Sequence, residues 1–128
     1  MRGIFGQFIL AHTLAPKIFI ATGTGLAPIV NMIRTLPDTI KKSLYFSVST
    51  QADLFYAEEL RAIKNLDLHI CVSREEVTGC EFGRINIDAV EAPLETEWYL
   101  CGNPKMVEEN ITKLNQRGYT QIHHEVFN

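Results

Sequence analysis

The sequence predicts an α/β fold: a doubly wound, five-stranded parallel sheet with helices on both faces, in three α/β/α layers. Short β-rich runs alternate with amphipathic helical segments along the chain, a pattern typical of βαβ units. The strand candidates are near-continuously apolar, as expected of strands buried on both faces of a parallel sheet. The length of 128 residues fits one domain. We divide it into a lead-in over residues 1–14, which has no helix partner, and a folded domain over residues 15–128.

The first half of the folded domain predicts three strands and two helices. Residues 17–22 predict the first strand, and apolar side chains at helical spacing predict a following helix that Pro37 ends. Residues 44–48 predict the second strand. Asp53 can then cap the second helix, and the third strand is predicted near residues 68–73.

The second half predicts two more strands, which completes a sheet of five. Residues 75–83 are polar and contain glycine, so we predict a loop there, followed by a short helix over residues 85–90. Residues 98–101 predict the fourth strand, and residues 121–127 predict the last.

The helix between the last two strands carries signals at both of its ends. Asn103 suits the N-cap and Pro104 suits the first helical position. Gly118 suits the C-terminal stop. Its apolar face is formed by Val107, Ile111 and Leu114.

The composition excludes several classes of protein. The chain has 12 basic and 15 acidic side chains, a formal charge of −3, which argues against a nucleic-acid binder whose affinity depends on basic side chains. No apolar run approaches the roughly 20 residues of a membrane-spanning helix, so we expect no membrane partner. Three cysteines without a C-x-x-C pair predict neither a disulfide framework nor a closed zinc site, and favour a reducing cytoplasm.

The strongest local motif directly follows the first strand and opens the first helix. It contains Thr22, Gly23, Thr24, Gly25 and Pro28. Glycines at such a junction let a ligand approach the backbone, and the free N–H groups at the helix start favour a phosphate. The alternative is a tight strand-to-helix turn without a ligand.

This motif departs from the usual dinucleotide fingerprint. Pro28 stands where the third glycine of G-x-G-x-x-G would be. The end of the second strand also lacks the acid that usually binds the ribose hydroxyls; it offers Ser47, Ser49 and Thr50 instead. A standard Rossmann dehydrogenase is therefore a poor fit.

A second strand-to-helix junction follows the fourth strand and is predicted at the same edge of the sheet. It contains Cys101, Gly102, Asn103, Pro104 and Met106. Cys101 could face a cofactor, or it could be a buried small apolar residue, the commoner fate of a free cysteine.

Two weaker motifs complete the candidate set. Ser73 and Arg74 follow the third strand, and a hydroxyl beside a guanidinium suits a phosphate, although such a pair is more often part of a solvated loop. At the end of the chain, alternation places Glu125 and Phe127 on one face of the last strand. The adjacent pair His123–His124 is only a weak metal signal, so no metal site is predicted.

Taken in order and at these separations, the segments 23–28, 101–106 and 125–127 resemble the nucleotide-binding domain of the ferredoxin–NADP reductase superfamily. Residues 53–60 resemble a further stretch of that family. The resemblance covers the chain from about Pro16 onward.

The resemblance implies a role for each end of the site. The Gly23–Gly25 loop would cradle the pyrophosphate of NAD(P)H, with Pro28 starting the helix beneath it. The cofactor-binding set would include Asn103, Pro104 and Met106. Ser73 and Arg74 match the position at which NADPH-using members hold the 2′-phosphate, but some NADH-using members also carry Ser-Arg there, so the choice of cofactor stays open.

The nicotinamide end of the site is also implied by the resemblance. Cys101 and Gly102 would lie near the nicotinamide, and Glu125 would orient or polarise that end. Phe127 resembles the family's C-terminal aromatic residue, which lies by the flavin ring.

The lead-in resembles the last strand of the family's FAD-binding barrel. Gly3, Gly6, Phe8 and Leu10 match its pattern, whereas Ile4 replaces a proline. The rest of the barrel is not in the sequence. The resemblance therefore implies the NAD(P)H half of a flavin reductase, with FAD on another domain and no hydride transfer by this chain alone.

The leading hypothesis is accordingly an electron-transfer oxidoreductase module. Its partners would be an FAD-binding domain or subunit and an iron–sulfur electron-transfer protein or oxygenase component. The alternative is a non-catalytic nucleotide-binding or docking module of the same fold, since a fold by itself does not fix a function. A flavodoxin-like FMN carrier is weaker, because the expected Ser- and Thr-rich phosphate loop is missing.

Overall fold

The computed structural model describes residues 13–23, 26–54 and 57–126. Its core is one parallel sheet with the strand order β4-β3-β2-β1-β5-β6. The strands are β1 Lys17–Thr22, β2 Lys42–Val48, β3 Leu66–Val72, β4 Glu81–Phe82, β5 Glu97–Gly102 and β6 Ile122–Val126. The helices are α1 Leu26–Thr35, α2 Ala57–Arg61 and α3 Pro104–Gln116. None of the helices in these ranges is long and apolar enough to cross a membrane.

Apolar side chains form a separate core on each face of the sheet. On the first face, α1 and α2 pack through Leu26, Ile29, Ile33, Ala57 and Leu60. On the second face, α3 packs together with the 3-10 turn Ile87–Ala89. Alternate residues of each strand enter opposite cores, as the period of a strand requires. The predicted parallel sheet with helices on both faces is confirmed.

The sheet has six strands, so the predicted number of five is wrong. The additional strand, β4, lies inside residues 75–83, which we expected to be a loop. It is only two residues long and exposed, and it forms because Glu81 pairs with Cys71 and Phe82 with Val72. So short an edge strand has no apolar alternation by which a sequence pattern could reveal it.

Two predicted helix boundaries also differ from the structure. Asp53 is the last residue of the 3-10 turn Gln51–Asp53, and α2 begins only at Ala57, so the predicted helix start is wrong. Residues 85–90 contain a 3-10 turn over Ile87–Ala89 rather than a longer helix.

A buried ion pair joins β1 and β5 at the amino end of the sheet. The Nζ of Lys17 lies 2.8 Å from Oε1 of Glu97, and the two side chains are 0% and 5% exposed. The hydroxyl of Thr13 donates to the other carboxylate oxygen at 2.6 Å. Burial alone would raise the pKa of Glu97, but the hydrogen bonds from Lys17 and Thr13, with the Lys17 and His123 charges, bring it below its ordinary value.

The one tryptophan of the chain lies in the core of the second face. Trp98 is fully buried in β5, and its ring meets Tyr119 edge-on with 5.0 Å between the ring centroids. Tyr119 in turn donates its hydroxyl to the carbonyl oxygen of Ala92. Through this ring contact and hydrogen bond, Tyr119 joins the segment after α3 to β5 and to the loop that precedes β5.

Candidate functional site

The strand order places a topological switch between β1 and β5. From β1 the chain adds β2, β3 and β4 on one side, and then returns to add β5 and β6 on the other. In open parallel sheets, ligands bind in the crevice beyond the carboxyl ends of the strands at this point. Thr22 ends β1 and Gly102 ends β5, so the two strongest sequence motifs meet here, as predicted from the sheet rule.

The ends of β1 and β5 touch directly. The backbone N–H of Asn103 donates to the hydroxyl of Thr22 at 3.4 Å. A Cβ at Gly102 would collide with that hydroxyl and lie 2.9 Å from Cε of Met106. A larger residue at this position would therefore require the Thr22 and Met106 side chains to move.

Gly23 begins the loop after β1 in a conformation that favours glycine. Its φ is +50°, and no atom lies within 4 Å of where a Cβ would be. The position is exposed, so the backbone there is open to a ligand. Thr24 and Gly25 lie outside the described residues.

The first helix begins two residues earlier than the motif suggests. Helix α1 starts at Leu26, which places Pro28 within its first turn rather than at its start. A proline is tolerated in this turn, since the first N–H groups of a helix have no intrahelical partner.

Helix α3 begins as predicted. The side chain of Asn103 accepts a hydrogen bond at 2.9 Å from the backbone N–H of Met106, and Pro104 is the first helical residue. This cap satisfies one of the free donors at the helix start. The N-terminus of α3 is thereby fixed beside Thr22.

Cys101 is a buried residue directly before Gly102. Its side chain is fully buried in the first-face core. Burial, with a smaller contribution from the charge of Glu125, raises the pKa of this thiol to about 12. The group therefore stays protonated near neutral pH and has the character of a small apolar residue, not of a nucleophile.

Glu125 is a buried carboxylate beside the end of β5. It pairs with Cys101 in the sheet register and is 9% exposed. Burial raises the pKa of Glu125, and the charge of His124 opposes this only in part. Within the described residues it has neither an ion pair nor a hydrogen bond to its side chain. Phe127 lies outside those residues.

The residues after β3 are held against the residues after β2. The N–H of Ser73 donates to the carbonyl of Val48 at 3.0 Å, and the N–H of Arg74 to that of Ser49 at 2.9 Å. The Arg74 side chain is exposed. Ser73 and Arg74 therefore lie at the carboxyl edge of the sheet, two strands away from Gly23.

Glu75 makes a contact at this edge of the sheet that the sequence did not predict. Its carboxylate accepts a hydrogen bond from the backbone N–H of Gln51, in the segment that follows β2. The two residues are 24 positions apart, so no local pattern could have indicated the contact. In the sequence, Glu75 could be noted only as an acidic residue that directly follows Ser73 and Arg74.

The adjacent histidines of β6 point to opposite faces of the sheet. Within 13–23, 26–54 and 57–126, no three His, Cys, Asp or Glu side chains converge as metal ligands would. His123 instead stacks on Tyr99, with 4.8 Å between the ring centroids, and His124, as its neighbour in the strand, points to the other face.

Comparison with known proteins gives the family. Residues 19–110 match the family described as oxidoreductase NAD-binding domain. The chain is 34% identical over 134 residues to the propane 2-monooxygenase reductase component of Mycolicibacterium smegmatis, covering 90% of this chain and 38% of that protein. It is 31% identical over 134 residues to the anthranilate 1,2-dioxygenase electron transfer component of Acinetobacter baylyi, covering 96% of this chain and 39% of that protein. The chain thus spans about two fifths of the length of these relatives.

A solved structure shows the same fold. The ferredoxin NADP+ reductase from Neisseria gonorrhoeae, with bound FAD and NADP, matches with a TM-score of 0.75 at 22% identity, covering 87% of this chain and 55% of that one. Together with the family match, the glycine-lined switch point between β1 and β5 leads to one conclusion. The chain belongs to the oxidoreductase NAD-binding domain family.

Proposed function

We propose that the chain is the NAD(P)H-binding half of a flavin-dependent reductase, which presents the nicotinamide for hydride transfer to a flavin held on another domain. The observation that carries the proposal is the contact between Thr22 and Asn103, with Gly102 beneath it, at the switch point of the sheet. The nicotinamide supplies the hydride; the protein supplies binding, orientation and electrostatics.

The pyrophosphate would bind at the loop between β1 and α1. Gly23 offers an exposed backbone with no side chain in the way, and Thr24 and Gly25 continue the same loop in the sequence. The start of α1 adds unpaired N–H groups and the positive end of the helix dipole, which favour a phosphate. The capped start of α3, with Asn103, Pro104 and Met106, would line the other wall of the crevice.

The nicotinamide would lie over the ends of β5 and β6. Gly102 would leave room for the ring, and Glu125 would orient its carboxamide end, since a carboxylate accepts hydrogen bonds from an amide. Phe127 would stand between this ring and the flavin. Cys101 would support Gly102 from the core below.

The further partners follow from the names of the relatives. One is a reductase component of a monooxygenase and one an electron transfer component of a dioxygenase, which supports an FAD-binding domain and an iron–sulfur protein or oxygenase component as partners. A reducing cytoplasm as the location is supported by Cys71, Cys80 and Cys101, which are free cysteines.

The proposal is tested by titrating the purified chain with NADH and with NADPH. We expect saturable binding of at least one of them, and Gly23→Ala should weaken it by about tenfold, because a methyl group would enter the space left for the phosphates. Gly118→Ala is the matched control: this glycine also has a positive φ, +94°, but ends α3 away from the site. Absence of binding at millimolar concentrations of both nucleotides would refute the proposal.

A further inference from the structure

The outer edge of β3 is open over most of its length. The neighbouring strand β4 pairs with Cys71 and Val72, at the carboxyl end of β3. For residues 66–70, the parts of the chain that the structure describes provide no backbone partner on this side. An open edge of this kind is a template for another strand, and proteins usually cover or interrupt it.

The free backbone groups of this edge can be assigned from the hydrogen bonds beside it. The carbonyl of Val72 points away from β2, because it accepts from the N–H of Gly83, just after β4. Backbone groups alternate in direction along a strand with a period of two residues. The N–H and C=O groups that face outward therefore belong to Leu66, Leu68 and Ile70.

The side chains of the open edge are arranged symmetrically about Leu68. Apolar residues at positions 66, 68 and 70 alternate with Asp67 and His69. If two copies pair antiparallel about Leu68, Leu66 of one copy lies opposite Ile70 of the other, and Asp67 lies opposite His69. The outward backbone groups then form the hydrogen-bonded pairs, and Asp67 and His69 form the non-hydrogen-bonded pairs, whose side chains are closer.

Opposite charges meet on the second face in this pairing. Within one chain, Nδ1 of His69 lies 2.9 Å from a carboxylate oxygen of Glu81, and Nε2 lies 3.2 Å from a carboxylate oxygen of Asp67. Burial alone would lower the pKa of His69, but the two carboxylates raise it above its ordinary value. The Asp67 side chain is 67% exposed, so it is accessible to a second imidazolium. Opposite charges directly across two antiparallel strands stabilise their pairing.

The same pairing places apolar side chains together on the first face. Helix α2 has only five residues and ends at Arg61, and the side chains of Leu66 and Leu68 are half-buried. A cavity of about 270 Å³ lies between α2 and β3, where Leu60, Leu66, Leu68 and Ile70 are part of its lining. In the pairing, each of the three β3 side chains has an apolar side chain of the other copy directly opposite.

We propose that two copies of this chain associate through the open edges of β3, antiparallel and centred on Leu68, so that their sheets join into one. The two-fold axis makes each Asp67–His69 contact occur twice. Strand β3 lies two strands away from β1, so the interface does not include the switch point, and the inference is independent of the proposed function.

Sedimentation equilibrium of the full chain tests the association, from micromolar to millimolar concentrations and at about pH 6, below the ordinary pKa of imidazole. The mass should rise with concentration from that of one chain, 14.5 kDa, to twice that value. Asp67→Lys places a cation opposite His69, and His69→Asp places a second carboxylate opposite Asp67. Because each unfavourable pair occurs twice, either variant alone should dimerise about tenfold more weakly or worse.

An equimolar mixture of these two variants tests the register of the pairing. In the mixed dimer the introduced lysine faces the introduced aspartate, and the remaining His69 faces the remaining Asp67. The mixture should therefore dimerise at least about tenfold more tightly than either variant alone. Glu109→Lys is the matched control, because it makes the same change of charge at an exposed position of α3, and it should leave the native dimerisation constant unchanged within about twofold.

Two results would overturn the inference. One is a native chain that keeps the mass of a single copy at every concentration, which would leave the edge of β3 to solvent or to a strand of another protein. This result depends on the native chain alone, so it holds even if a variant folds poorly. The other is a mixture of folded variants that dimerises no more tightly than its components, which would show that positions 67 and 69 do not face each other. Neither measurement involves a nucleotide, so both leave the proposed function standing.

Discussion

Strands β1 and β5 lie side by side, yet their two ends are built in opposite ways. At the amino end, Lys17 and Glu97 form a buried ion pair at 2.8 Å. At the carboxyl end, the strands meet through Gly102 and a 3.4 Å hydrogen bond from Asn103 to Thr22. A buried ion pair joins the strands at the amino end. At the carboxyl end they approach each other closely, with no side chain at Gly102 between them. The comparison teaches that two neighbouring strands can be joined by a buried charge pair at one end and by a close approach over a glycine at the other.

The two ends also differ in how they hold a buried glutamate. Glu97 is paired with Lys17, and its pKa lies below the ordinary value. Glu125, next to the end of β5, has a pKa raised by burial. Perturbed carboxyl groups without a structural partner are typical of functional sites. The difference therefore separates a carboxylate with a buried cation beside it from one that has no ion pair within the described residues.

Removing the buried ion pair at the amino end of β1 and β5 should have the largest effect on the free energy of unfolding. Lys17→Met leaves Glu97 buried without its cation, and we expect the free energy of unfolding to fall by about 3–5 kcal/mol, as for other broken buried pairs. Urea unfolding measures this. Arg34→Met is the matched control, since its ion pair with Glu59 joins side chains that are 53% and 59% exposed and should cost less than about 1 kcal/mol. Equal losses in the two variants would show that burial of the pair is irrelevant.

Placing a side chain at Gly102, where β1 and β5 meet at their carboxyl ends, should have a smaller effect on stability and a larger effect on nucleotide binding. Gly102→Ala places a methyl group against the hydroxyl of Thr22 and near Met106, and such overpacking costs about 1–3 kcal/mol. Thermal unfolding gives the cost. An NADH titration should show binding weakened by about tenfold or more, because the displaced ends of β1 and β5 would line the nucleotide crevice.

A second substitution distinguishes a local clash from a general loss of structure. Adding Thr22→Ala to Gly102→Ala removes the hydroxyl that the new methyl group meets. We expect the double variant to regain part of the lost stability. If the two substitutions were simply additive, the ends of β1 and β5 would not be in contact as described.

The smallest effect should come from titrating the two glutamates. Because the pKa of Glu97 is lowered in the folded chain, its stabilisation is complete above its ordinary value, about 4.5, and is lost as the pH falls through its lower folded-state pKa. Because the pKa of Glu125 is raised, its ionisation opposes folding, and stability should fall as the pH rises above about 4.5.

The variant Glu125→Gln separates these two contributions. The variant should remove the fall in the free energy of unfolding that we expect as the pH rises above about 4.5. The fall at lower pH, which depends on protonation of Glu97, should stay unchanged. At pH 7 the gain should stay below about 1 kcal/mol, the size typical of a polar substitution that changes few contacts. Unfolding curves measured between pH 3 and pH 8 give the comparison, and a variant that is less stable than the native chain at pH 7 would contradict it.

Elements whose formation depends on adjacent residues could be predicted from the sequence. The strand Lys17–Thr22 and the cap formed by Asn103 were predictable, because buried strands and helix starts have signals in adjacent residues. The strand Glu81–Phe82 was not, since two exposed residues pair only because β3 lies beside them. Likewise, the contacts of Glu97 with Lys17 and of Glu75 with Gln51 join segments that are distant in sequence. Glycines in adjacent residues predicted the candidate site, whereas the contacts of its charged side chains could be read only from the fold.

The burial of Trp98 gives the protein a built-in optical probe. This ring is the only indole of the chain, it is shielded from water, and it lies in the strand that ends at Gly102. Reduced nicotinamide absorbs light in the range in which indole emits. Quenching of the emission can therefore report nucleotide occupancy, and a shift to longer wavelength can report entry of water into the second-face core. One sample can thus follow binding and unfolding without a label.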